Sequence, residues 1–232
     1  MKISGLQTLT LLDFPGKVAC TVFTSGCNMR CPFCHNAGLV LEPDEPAQMT
    51  EDEFFAFLKK RSGVLDGVCV TGGEPLLQTD LIPFFQRVKD LGFTTKLDTN
   101  GFLTDRLRKT VESGTVDYVA MDVKNDPSRY AETVGIPNFS MEPIFESVQY
   151  LMSCGVDYEF RTTVVRELHR AGNLTAIAEW LQGAKRYFLQ GFRDSGEILG
   201  GTMHAYSPQE MRELLGKVQA ILPQTELRGV EV

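Results

Sequence analysis

Gly26-Cys27-Asn28-Met29-Arg30-Cys31-Pro32-Phe33-Cys34-His35 follows the β-branched run Val18–Thr24 and puts three thiols in one short loop, separated by three and then two residues. Iron–sulfur clusters are held by Cys thiolates, and a loop of this spacing can wrap one corner of a cubane. Three ligands for four irons leave one iron open, and an open position separates a reactive metal centre from a closed structural one. Taken alone, the stretch admits other chemistry. Cys31-Pro32-Phe33-Cys34 fits a redox dithiol, Cys31 to His35 fits a c-type haem attachment site, and the three cysteines with His35 fit zinc. The first residues, Met1 to Gln7, form no apolar signal segment, which argues against haem attachment. Cys27 and a length of 232 residues argue against a dithiol fold.

From Lys17 onward, short β-branched runs alternate with longer helical stretches, the pattern of βα units around a parallel sheet. Strands are expected at Val18–Thr24, Val68–Thr71, Thr94–Leu97, Tyr118–Asp122, Glu159–Val165 and Arg186–Leu189. Helices are expected at Thr50–Arg61, Leu81–Leu91, Thr104–Ser113, Pro143–Cys154, Asn173–Gly183 and Ser207–Ala220. Thr50 with Glu53 three positions on reads as a capping box, and Thr104 and Ser207 suit an N-cap. Six units are too few to close an eight-stranded barrel, so the expected fold is α/β, an open partial (β/α)6 barrel, with a doubly wound sheet as the rival. Residues 1–232 read as a single domain without a linker.

In such a barrel the chemistry collects at the C-terminal ends of the strands. The first end leads into Cys27. The second gives Thr71-Gly72-Gly73-Glu74-Pro75, where two glycines allow close approach of the backbone to a ligand. The third gives Asp98-Thr99-Asn100-Gly101, with Asp98 able to accept hydrogen bonds from a ribose. The fourth gives Asp122-Val123-Lys124, acid and base on one side of the strand. Arg161, inside the fifth run, either pairs with a buried acid or reaches a ligand carboxylate. Together these ends suit an amino-acid nucleoside with a carboxylate.

A net charge of −7 argues against nucleic acid as a partner. No apolar run reaches membrane-spanning length, and the chain reads as cytoplasmic. Cys20, Cys69 and Cys154 lie in apolar settings and read as small buried hydrophobes. His169 and His204 are given no role.

Cys27-x-x-x-Cys31-x-Phe33-Cys34 followed by Gly72-Gly73-Glu74-Pro75 resembles the radical S-adenosylmethionine (radical SAM) superfamily. Asp13-Phe14-Pro15-Gly16, Asp98-Thr99-Asn100-Gly101 and Asp122-Val123-Lys124 are similar to its glycyl-radical-enzyme activases. Phe14-Pro15-Gly16-Lys17 and the length are most like those serving anaerobic ribonucleoside-triphosphate reductases. The resemblance implies a single 4Fe–4S cluster on Cys27, Cys31 and Cys34, whose open iron chelates S-adenosylmethionine (SAM). By the same resemblance Phe33 and His35 flank the adenine, Gly72 and Gly73 hold the methionine amino group, Asp98 the ribose and Lys124 the carboxylate. Glu74, Val123 and Arg161 complete the expected cofactor site, and Asp98 with Asp122 would bind a monovalent cation. Late in the barrel the chain departs from formate-lyase activases, with Phe192 or a neighbour standing where those have a histidine. The implied reaction generates a 5′-deoxyadenosyl radical that takes hydrogen from a glycine of the partner reductase, with a flavodoxin or ferredoxin-type electron donor. The alternatives are an activase of a pyruvate formate-lyase-like enzyme, a radical enzyme acting on a small molecule, and a metal or dithiol protein without turnover.

Overall fold

The computed structural model describes residues 1–194, 196 and 198–230. Eight strands occur in one sheet in chain order: β1 (Gly5–Thr10), β2 (Ala19–Thr24), β3 (Gly67–Gly72), β4 (Thr94–Thr99), β5 (Tyr118–Asp122), β6 (Asp157–Val164), β7 (Tyr187–Gly191) and β8 (Thr225–Arg228). The order begins at β1 and ends at β8 without returning, so the sheet is unclosed, as expected of an open α/β barrel. Contacts group the chain into two compact units. One comprises Met1–Asn28, Gly38–Thr99 and Leu103–Ala120, the other Met29–Ala37, Asn100–Phe102 and Met121–Val232.

In the first unit β2, β3 and β4 are parallel, with Ala19 opposite Gly67 and Thr24 opposite Gly72. Ala19-Cys20-Thr21-Val22 is buried without interruption, the continuous pattern of a parallel strand covered on both faces. Helices α2 (Glu51–Lys60) and α3 (Leu81–Asp90) present Phe54, Phe55, Phe84 and Phe85 to one another. The Phe84 centroid lies 5.3 Å from those of both Phe54 and Phe55, and each such aromatic pair adds about 0.5–1.5 kcal/mol beyond area burial. Thr50 and Glu53 form the expected capping box. Helix α4 (Thr104–Glu112) starts at Thr104 itself, with Leu103 at the cap position, so the expected Thr104 cap is corrected.

The Asp13-Phe14-Pro15-Gly16 stretch turns the chain from β1 into β2. Asp13 Oδ2 accepts from Thr21 Oγ1 at 2.6 Å, and the Lys17 N–H donates to Phe14 O at 3.1 Å. Phe14 is buried against Ala19 and Tyr118, its ring 6.0 Å from that of Tyr118.

In the second unit β6, β7 and β8 are parallel. Helices α6 (Glu142–Ser153) and α7 (Ala171–Trp180) meet through Phe145 and Trp180, edge to face at 5.1 Å. Helix α8 (Pro208–Gln219) carries the expected Ser207 cap, closed by Glu210.

Four elements were not expected. Strand β1 pairs antiparallel with β2 and slips register between Gln7 and Thr10, and its partly exposed residues lack the apolar run that signals a covered strand. Strand β8 is four residues long, and three of the four are polar. Helices α1 (Ala37–Leu41) and α5 (Tyr130–Val134) are too short for helical periodicity to register. Among the described residues no helix is long and apolar enough to cross a membrane.

Phe14→Ala is expected to cost about 3–5 kcal/mol, the usual range for truncating a buried phenylalanine. Urea denaturation measures this, and a loss under about 1 kcal/mol would place the Phe14 ring outside the core.

Candidate functional site

The loop that leads to Cys27 is held by its main chain. The Gly26 N–H donates to Leu39 O at 2.8 Å, Gly26 O accepts from the Glu74 N–H at 2.8 Å, and Thr24 O accepts from the Gly73 N–H at 2.8 Å. Ser25 O accepts from Gln78 Nε2 at 3.1 Å. The strand register that sets Thr24 beside Gly72 thus continues past the sheet as a backbone clasp between the glycine turn and the cysteine loop.

The clasp explains the two glycines. A Cβ on Gly73 would fall on the Gly26 carbonyl, and one on Gly72 would reach Thr24 N at 2.5 Å, at a φ of +112° that L side chains avoid. Sequence reasoning gave the close approach to a ligand; the structure gives it to this chain's own backbone. Glu74, fully buried, accepts from Thr99 Oγ1 at 2.8 Å and from the Leu76 N–H at 3.1 Å. Its carboxylate therefore staples the turn to the end of β4. One strand residue earlier, Asp98 pairs with the ammonium of Lys96 and accepts from Cys69 Sγ at 3.7 Å.

In the second unit Cys31 is buried and Cys34 half-buried, and the Cys34 N–H turns back onto Cys31 O at 3.0 Å. The Arg30 N–H donates to Val134 O at 2.8 Å, which fixes this end of the loop on α5. Phe33 is buried with its ring centroid 6.0 Å from Lys124 Nζ, within cation–π reach, and 6.5 Å from the His169 ring. His35 is exposed.

Asp122 closes β5 between two cations, with Lys124 Nζ 2.8 Å from Oδ2 and Arg161 Nε 2.9 Å from Oδ1. Of the two fates expected for Arg161, the acid partner is the one seen. Burial opposes the Asp122 charge, but Arg161 and Lys124 outweigh it and hold the carboxyl well below the usual carboxylate range. Burial likewise opposes the Lys124 charge, and Asp122 and Cys31 outweigh it, so the ammonium is kept above its ordinary pKa.

The backbone around Lys124 is fixed on every side. The Val123 N–H donates to Arg161 O at 2.8 Å and Val123 O accepts from Thr162 Oγ1 at 2.7 Å. The Lys124 N–H donates to Tyr130 Oη at 3.3 Å, and Lys124 O meets His169 Nε2 at 2.7 Å. His169 Nδ1 accepts from the Val165 N–H at 3.1 Å and lies 3.3 Å from Val165 O, and burial holds the imidazole below its usual pKa. Sequence reasoning missed both Tyr130 and His169, which stand among polar and charged neighbours in the sequence and carry no signal of burial there.

All six cysteines are thiols. Burial pushes the Cys20 thiol up to about 12, as expected of a packing residue, whereas Cys69 is buried but meets the Asp98 carboxylate and the Lys96 ammonium, a polar setting that was not expected. Cys154 is half-buried at the C-terminal end of α6. Among the described residues no three His, Cys, Asp or Glu side chains are already gathered around a metal position. The donor chemistry itself fits an iron–sulfur cluster: three soft thiols close together in the sequence, at positions 27, 31 and 34.

A profile of the Radical SAM superfamily matches residues 21–171. A protein of Methanocaldococcus jannaschii, provisionally assigned as a glycyl-radical enzyme activating enzyme, is 31% identical over 222 residues, 93% of this chain and 90% of its own length. The pyruvate formate-lyase-activating enzyme of Listeria monocytogenes is 31% identical over 160 residues, 65% of this chain and 63% of that enzyme. The crystal structure of Streptococcus suis SuiB bound to S-adenosylmethionine superposes with a TM-score of 0.71 at 16% identity, over 89% of this chain and 49% of SuiB. At that identity the likeness speaks for the fold alone.

Two outcomes follow from this geometry. Gly73→Ala is expected to spread the clasp, costing about 1–3 kcal/mol and lowering the iron retained after anaerobic reconstitution; unchanged iron content would deny the clasp a part in shaping the loop. Burial holds His169 below its usual pKa of 6.5, so the unfolded chain takes up a proton that the folded chain refuses. Stability present at neutral pH is therefore lost as the pH falls through 6.5. Urea titrations should give a shallower acid slope for His169→Gln than for wild type.

Proposed function

This chain belongs to the radical SAM superfamily, and we propose that it reductively cleaves SAM to install a glycyl radical on a partner enzyme, an anaerobic ribonucleoside-triphosphate reductase. The observation that carries the activase reading is the relative from Methanocaldococcus jannaschii, whose likeness runs over nearly the whole chain. The Phe14-Pro15-Gly16-Lys17 turn supports the choice of reductase.

Cys27, Cys31 and Cys34 would hold the 4Fe–4S cluster, which when bound would supply reducing power to the SAM sulfonium, with a flavodoxin or ferredoxin-type protein as the electron donor. The chain's own residues bind and orient. The Gly72-Gly73 turn carries the methionine amino group and, through its clasp, fixes the approach to Cys27. Lys124, kept charged by Asp122, takes the carboxylate. Phe33 and His35 flank the adenine, and Asp98 receives the ribose hydroxyls. Arg161 acts at one remove by keeping Asp122 ionised, and Val123 acts through its fixed main chain. Glu74 acts as the staple of the glycine turn.

A second reading, an activase for a pyruvate formate-lyase-like enzyme, is favoured by the Listeria relative and differs only in the partner. One anaerobic experiment decides among partners. The reconstituted protein, given SAM and dithionite, is expected to release 5′-deoxyadenosine and to raise a glycyl radical signal in electron paramagnetic resonance when the reductase is added. A signal with a formate-lyase-type enzyme alone would transfer the assignment to the second reading, and 5′-deoxyadenosine without a signal in either would reject both.

Cys31→Ala should abolish cluster binding, because two thiolates do not hold a cubane. Lys124→Ala should keep its iron while SAM affinity drops at least about tenfold, as expected for deleting one partner of a buried charge contact. Full affinity in that variant removes Lys124 from the site.

A further inference from the structure

Lys96 is fully buried in the middle of β4, a position where a charge is costly unless paired. It sits opposite Cys69 of β3 in the strand register and two residues before Asp98, so both charges lie on one face of the strand. Its ammonium pairs with Asp98 Oδ1 and stands 3.8 Å from Cys69 Sγ, which itself donates to the same carboxylate oxygen. Lysine side chain and carboxylate differ in access: Lys96 is sealed, while the Asp98 side chain keeps 12% of its surface exposed.

A monovalent cation was expected on Asp98 and Asp122. The residues present do not fit one. Asp98 already holds an ammonium, and Asp122 has a cation of its own chain on each carboxylate oxygen.

We propose that Lys96 is a positioning residue which supplies, from within the chain, the positive charge that orients Asp98, so that SAM binding needs no potassium or sodium. The inference rests on the reading in which Asp98 receives the ribose. A tethered ammonium differs from a dissolved ion in being present at every salt concentration and in fixing one carboxylate oxygen of Asp98.

The test measures SAM binding by equilibrium dialysis on the anaerobically reconstituted full chain, in potassium, sodium and choline chloride at equal ionic strength. Wild type should bind alike in all three. Lys96→Met should bind at least about tenfold more weakly in choline chloride and regain affinity in potassium chloride, a cation-specific rescue that a merely structural role would not give. Wild-type binding that collapses in choline chloride overturns the inference, and so does a Lys96→Met protein that binds normally there. The wild-type arm decides the matter even where Lys96→Met fails to fold. Asp98→Asn separates the two layers: unchanged SAM affinity in that variant defeats the ribose reading, whereas weakened affinity alongside a normal Lys96→Met defeats the lysine alone.

Discussion

Two main-chain hydrogen bonds, from the Gly73 N–H to Thr24 O and from the Glu74 N–H to Gly26 O, set the geometry on which the cysteine loop depends. They are possible only because the turn presents no Cβ toward the loop, and they extend a parallel register beyond the last residues of the sheet. Side chains then lock what the backbone has placed. Glu74 binds the turn to Thr99, and Gln78 reaches the carbonyl of Ser25. The stretch before Cys27 is therefore rigid for reasons unconnected with any ligand, which is the preorganisation a reactive centre needs.

Charge is treated in the same way. Two acids at strand ends are buried or half-buried with a cation from their own unit: Asp98 with Lys96 in the first, Asp122 with Lys124 and Arg161 in the second. Pairing of this kind adds little net stability, since desolvation consumes most of the attraction. What it provides is definition. A carboxylate gripped on a named oxygen has one orientation, and Lys124, gripped by Asp122 while Tyr130 and His169 hold its backbone, has one as well.

Much of this was legible in the sequence, for physical reasons. Six covered strands announce themselves because burial on both faces demands β-branched runs, and β5 was located residue for residue. Thr50 and Ser207 announce helix starts by the chemistry of their caps. Strands β1 and β8 did not, since a half-exposed or very short strand has no reason to be apolar throughout. In the site, residue types at strand ends marked Cys27, Gly72, Asp98 and Asp122, and Lys124 beside Asp122, but not the Lys96 partner of Asp98. Whether Arg161 meets an acid or a ligand depends on which strand lies beside it, and only coordinates tell. Lys96 carried the same signal as Arg161, a cation inside an otherwise covered strand, and Tyr130 and His169 carried almost none, because a ring that hydrogen-bonds to main chain looks in sequence like any packed ring.

The thiols divide into two chemical populations. Cys20, deep in β2 with its pKa pushed up to about 12, stays protonated and is a poor nucleophile. Oxidants act on thiolates that they can reach, so Cys20 is protected both by burial and by its retained proton. Exposure to oxygen would thus leave the sulfur at the centre of β2 chemically unchanged.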